Sequence, residues 1–140
     1  MARIKHIAFF TPDPQKMADF YVEVFGMKIT RKGKDDAGNP VSVWVTDGYM
    51  DVALIKARGK MKPGINHFGW TLDGEEKEQV KAKLRAKGIE PFDPRASGDS
   101  DVSNRPYVEE GALDCDGNRF DLTTGMKLAT PNPEKAEAAS

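Results

Sequence analysis

Ile4-Lys5-His6-Ile7-Ala8-Phe9 and Ile65-Asn66-His67-Phe68-Gly69-Trp70 share one pattern: isoleucine, any residue, histidine, apolar, small, aromatic, at a constant offset of 61. Each run is short, apolar and rich in β-branched or aromatic residues, with turn or breaker residues on either side, and so reads as a strand buried on both faces. The segments after the two runs match as well. Beyond the first, Asp13-Pro14 supplies an N-cap and a proline at the first helical position, and Met17, Phe20, Tyr21, Val24 and Phe25 recur at helical spacing until Gly26. Beyond the second, Asp73-Gly74 leads into a helix over 75–87, acidic at its start and ending in Lys87. Val80 and Leu84 face inward and Gly88 terminates it.

Behind each helix the pattern turns to strands. In the first half these cover 27–31, 41–46 and 50–56, with a polar connection at 34–40 and a turn at Asp47-Gly48. In the second half a short strand over 89–92 precedes a long polar loop, 93–104, and strands 107–113 and 118–124 meet across Asp116-Gly117. The order is βαβββ-βαβββ. A lone sheet with one helix leaves its other face wet, so the expected fold is α+β, two βαβββ modules forming a paired, curved mixed sheet. One domain is expected over 1–125, with modules 1–60 and 63–125, and residues 126–140, which carry no inward-facing pattern, are expected to form a flexible tail.

Composition narrows the function classes. The 140 residues are 39% hydrophobic, enough for one compact domain with a core. Twenty-one Lys plus Arg against twenty-two Asp plus Glu leave a net charge of −1, which offers no field to attract nucleic acid or an acidic membrane. There is no apolar run long enough to span a bilayer. The single cysteine, Cys115, has no disulfide partner within the chain, and MARIKHIAFF lacks the layout of a secretory signal, so a cytoplasmic location is the expectation.

Strand periodicity puts His6 with Ile4 and Ala8 on one face, and His67 with Ile65 and Gly69 on the equivalent face of its counterpart. Packing about a pseudo-twofold axis would bring these two histidines, the only two in the chain, together. Imidazole suits Zn, Ni, Co, Mn or Fe, and Asp121 in Asn118-Arg119-Phe120-Asp121-Leu122-Thr123 is the natural third ligand. An acid in an apolar strand costs several kcal/mol to bury unless a cation or metal compensates it. Repeat symmetry puts a fourth position at Ala53, which cannot ligate, or, with a slip of two residues, at Asp51. Asp51 is also the candidate general base. Taken singly, each histidine could be a hydrogen-bonded core residue and Asp121 a salt-bridge partner. Trp44, Trp70 and Tyr107 are candidates to line a substrate pocket, against the plainer reading of core aromatics. Arg105 is a candidate clamp for a substrate carboxylate, against that of a solvated loop arginine.

The segments IKHIAFF, DPQKMADFYVEVFGMKI, INHFGWTLD and DCDGNRFDLTT together resemble the vicinal oxygen chelate superfamily, which includes glyoxalase I, methylmalonyl-CoA epimerase, extradiol dioxygenases, fosfomycin-resistance enzymes and bleomycin-binding proteins. The resemblance covers roughly residues 3 to 125. It implies that His6, His67 and Asp121 stand where the family's metal ligands stand, with Asp121 in place of the usual glutamate and Ala53 in place of a ligating fourth residue. It implies further that a divalent metal ion chelates a small-molecule substrate through its oxygens.

The resulting expectation is a metal-dependent, glyoxalase-like lyase or isomerase acting on a small oxygenated substrate by bidentate chelation and enolate stabilisation. The rivals are an Fe(II) extradiol-type dioxygenase using the same ligands and a metal-free drug- or metabolite-binding protein. A homodimer is expected, since exposed sheet faces and edges need cover.

Overall fold

The computed structural model describes residues 1–93 and 108–124. They form β1 (Arg3–Thr11), α1 (Pro14–Phe25), β2 (Lys28–Lys34), β3 (Pro40–Thr46), β4 (Asp51–Lys56), β5 (Gly64–Thr71), α2 (Gly74–Ala86), β6 (Val108–Leu113) and β7 (Arg119–Thr124). The chain divides into two compact units, one His6–Asn66 and the other joining Met1–Lys5 to the described residues from 67 onward. Among the described residues no helix is long and apolar enough to cross a membrane. The expected tail, and most of the expected loop over 93–104, lie outside the described residues.

In the first unit β3 is antiparallel to both β2 and β4, and β4 is parallel to β1. The helix begins where the sequence indicates, because Asp13 caps it by accepting from the Lys16 N–H and Pro14 needs no partner for its nitrogen. Gly26 ends it in a left-handed conformation (φ 70°) that its N–H uses to reach back to the last turn. One face of the sheet packs on α1. Val43, Val45 and Leu54 bury there against Ala18, with Phe9, Met17, Tyr21, Met27 and Val52 around them.

The inward stripe of α1 is narrower than its apolar content suggests. Pro14, Met17, Ala18 and Tyr21 face the sheet, while Phe20, Val24 and Phe25 are 54%, 55% and 67% exposed. Ala18 brings the helix backbone close to β3 and β4. The bulkier residues two and six positions on are thereby turned away at 100° per residue.

The second unit repeats the connectivity with one strand missing among the described residues. β5 is parallel to β7, and β6 is antiparallel to β7. In place of the expected strand over 89–92, Phe92 alone bridges Gly111 of β6. The Phe92 ring lies over Gly111 so closely that a Cβ there would stand 2.6 Å from it. Leu72, Ala112, Phe120 and Leu122 form the core, with Phe68, Trp70, Val80, Leu84 and Ile89 packed on it.

Helix α2 offers the sheet only two apolar anchors, Val80 and Leu84, and is held by charge as well. The Lys77 ammonium, nearly fully buried, reaches Glu110 Oε1 at 3.2 Å, and Lys81 reaches Glu110 Oε2 at 3.0 Å. Burial pushes the Glu110 carboxyl up, but hydrogen bonds from Lys81 and Lys77 more than offset this and lower it. Glu110→Gln leaves the Lys77 charge buried without its counter-ion and should cost about 2 kcal/mol, less than a fully buried pair because Glu110 is partly solvated. Urea unfolding at neutral pH checks this, and a loss under about 0.5 kcal/mol would place the pair among ordinary surface ion pairs.

Candidate functional site

The sheet face opposite α2 carries a second group of polar residues. Strand alternation sends Phe68, Trp70, Phe120 and Leu122 to the helix side and His67, Gly69, Arg119, Asp121 and Thr123 to the other. Asp121 is 1% exposed. His67 Nε2 lies 3.0 Å from its Oδ2, and Arg119 Nε donates to its Oδ1 at 3.3 Å. Gly69 stands directly opposite Asp121 in the β5–β7 register.

In the protein without metal, burial pushes the Asp121 carboxyl up, but more than that is pulled back down. The hydrogen bond and charge of His67 and the charge of Arg119 hold it at about 2. A carboxyl depressed in the folded state adds stability that is complete above its ordinary value of 3.8 and fades as pH falls toward 2. Metal-free Asp121→Asn should therefore be less stable than the parent by about 2 kcal/mol near neutral pH, with the gap closing between about pH 4 and pH 2. Urea titrations across that window test it, and a gap independent of pH would contradict the assigned cause.

The first unit presents a related face. His6, 3% exposed, lies on β1 opposite Asp51, 2% exposed, on β4. Thr46 stands beyond Asp51 on β3. The Trp44 ring is 6.3 Å from the His6 ring, and the Arg31 guanidinium stacks 3.9 Å over Trp44. Ala8 and Ala53 are paired in register, as Gly69 and Asp121 are in the second unit. Ala53 is therefore the counterpart of Asp121, and Asp51 lies one like-facing position nearer His6, a register that sequence alone leaves open.

His67 and Asp121 are thus brought into contact, and His6 is placed beside Asp51 and Trp44. Trp70 is not on the His67 face. It packs on the helix-side core with its ring at 6.0 Å, edge-on, to Phe68. Arg105 and Tyr107 lie outside the described residues. Cys115 is exposed in the β6–β7 turn. Two residues of the face, Arg119 and Glu109, are not among the candidates that sequence reasoning singles out. Arg119 is nonetheless legible there, since it precedes Asp121 by two on one strand and must share its face.

Donor chemistry on this face suits a divalent ion. Two ligand atoms each bound at about 2.1 Å and at right angles are about 3.0 Å apart, the separation seen between His67 Nε2 and Asp121 Oδ2. With an ion present both atoms can turn lone pairs toward it.

A family model described as Glyoxalase/Bleomycin resistance protein/Dioxygenase superfamily matches residues 3–122. The chain is 26% identical over 123 residues to the metallothiol transferase FosB of Lysinibacillus sphaericus (strain C3-41), covering 87% of this chain and 82% of that protein. Among solved structures, methylmalonyl-CoA epimerase of Streptomyces coelicolor superposes with a TM-score of 0.64 at 17% identity, covering 92% of this chain and 98% of that one. The 2,3-dioxygenase LapB of Pseudomonas sp. KL28 superposes with a TM-score of 0.68 at 17% identity, covering 94% of this chain and 44% of that one. Both share the mixed α+β fold.

Proposed function

Because the chain belongs to the Glyoxalase/Bleomycin resistance protein/Dioxygenase superfamily, whose members typically depend on a divalent metal ion, we propose that His6, His67 and Asp121 hold such an ion and that the protein is a metal-dependent lyase or isomerase acting on a small oxygenated substrate. One observation supports this most directly: the buried His67–Asp121 pair, with donor atoms 3.0 Å apart. His6 supplies the second imidazole, so the donor set is two neutral nitrogens and one carboxylate. When bound, the ion supplies Lewis acidity to paired oxygens of the substrate and to the negative charge that develops on them.

The protein's own residues then have distinct tasks. His6 and His67 project from strands, which hold them more precisely than loops would. Asp51, opposite His6 in register, is the candidate for moving a proton to or from a substrate carbon. Trp44, with Arg31 stacked on it, walls the His6 face. A second reading, transfer of a thiol to a small electrophile, draws on the likeness to FosB and uses the same metal ligands.

Metal-loaded protein incubated in heavy water with small α-hydroxyketones and thiohemiacetals should wash deuterium into the α-position, followed by NMR. Loss of exchange on removal of metal is the expected control. Thiol consumption without carbon exchange would favour transfer, and oxygen uptake with catechols in the iron form would favour the dioxygenase. Ligand binding unaffected by metal removal would leave a metal-free binding protein and end the proposal.

A further inference from the structure

The two oxygens of Asp121 are committed to different partners. Oδ2 faces His67 Nε2 at 3.0 Å, and Oδ1 accepts from Arg119 Nε at 3.3 Å. Arg119 is itself confined. Its side chain is only 22% exposed, it shares a strand face with Asp121, and its guanidinium carbon lies 5.5 Å from the centre of the Phe92 ring. Phe92 is fixed in turn by its bridge to Gly111, the residue directly opposite Asp121 on β6. A carboxylate free to rotate can give a cation one oxygen or both. One whose Oδ1 is bonded to a guanidinium on a packed strand is held so that Oδ2 is the oxygen it presents.

Resting on the metal-site reading above, we infer that Arg119 is a positioning residue that makes Asp121 a one-oxygen donor and so keeps a coordination position open for a substrate that chelates through two oxygens. Ala53 works in the same direction. It occupies the counterpart of the Asp121 position in the first unit and has no donor. With His6, His67 and one oxygen of Asp121 as its protein ligands, an ion would keep positions for both substrate oxygens. Outer-sphere partners of this kind commonly change ligand behaviour by about 10–100-fold when removed.

The test uses Co(II)-loaded full-length protein and acetohydroxamate, a bidentate oxygen chelator, with its affinity read from the cobalt absorption spectrum. In Arg119→Met the freed carboxylate closes on the ion with both oxygens, so acetohydroxamate affinity should fall by about tenfold or more, and the visible bands should shift before any chelator is added. Arg119→Lys, which can still donate to Oδ1, should stay within about threefold of the parent. Arg119→Ala should recover with millimolar methylguanidinium, which also covers the case in which the methionine variant does not fold. Unchanged affinity and spectrum in Arg119→Met, or an equal fall in Arg119→Lys, would overturn the assignment while leaving the metal site intact. Failure of the parent protein to take up cobalt would instead overturn the metal-site reading, and this inference with it.

Discussion

The His6→Ala/His67→Ala double variant is expected to purify with less than about a tenth of an equivalent of divalent metal, against close to one for the parent prepared without chelator or histidine tag. Two imidazoles supply both neutral donors of the proposed set, and what remains, Asp121, keeps Arg119 on one oxygen. A single carboxylate already neutralised by a guanidinium binds divalent ions weakly. The consequence extends to stability. An ion present at a thousand times its dissociation constant stabilises the folded state by about 4 kcal/mol, so metal should raise the melting temperature of the parent and not that of the variant. Elemental analysis and paired melts read both effects. Stoichiometric metal in the double variant would remove the histidines from the site. Metal absent from the parent after reconstitution with Zn, Ni, Co, Mn and Fe in turn would remove the site altogether.

Much of this arrangement is legible in the sequence. The 61-residue offset between the two histidine strands reflects a repeat in which the same backbone positions serve the same purpose, and a repeat survives divergence because strand alternation and helix caps tolerate little change. Both caps, both αL glycines after the helices and the two hairpin turns are local chemistry, written in a few residues each. Register is another matter. Whether Ala53 or Asp51 corresponds to Asp121 depends on which backbone groups of β1 and β4 pair, and no side chain in either strand reports that. Sequence makes the inward face of α1 too broad because hydrophobicity does not distinguish an aromatic that packs from one left in water. The strand expected over 89–92 contracts to the single Phe92 bridge, for a short run with Pro91 inside it can donate few ladder hydrogen bonds. Arg119 is not singled out in the sequence because the face it shares with Asp121 reads equally well as a surface ion pair.

Leu54→Ala and Leu122→Ala should each lose about 3 kcal/mol, since both side chains are fully buried and each removes a branched side chain from the centre of its unit's core. Their effects on the site should differ. Leu122 adjoins Asp121 on β7 and packs on the side of the strand opposite the carboxylate. A cavity beneath it lets β7 settle toward α2, and a shift of a few tenths of an ångström is enough to spoil the 3.0 Å approach of Oδ2 to His67. Leu54 stands beside Ala53 and pairs with Phe9, three residues along β1 from His6, and no proposed ligand lies next to it on its strand. Metal affinity should therefore fall by about tenfold or more in Leu122→Ala and stay within about twofold in Leu54→Ala, at matched loss of stability. Isothermal titration with the same ion, at a temperature where both variants are more than nine-tenths folded, separates the two. Equal weakening would mean that the site senses global stability and not the local seating of β7. No weakening in either would mean that the Asp121 carboxylate is held by Arg119 and His67 alone, independently of the packing behind it.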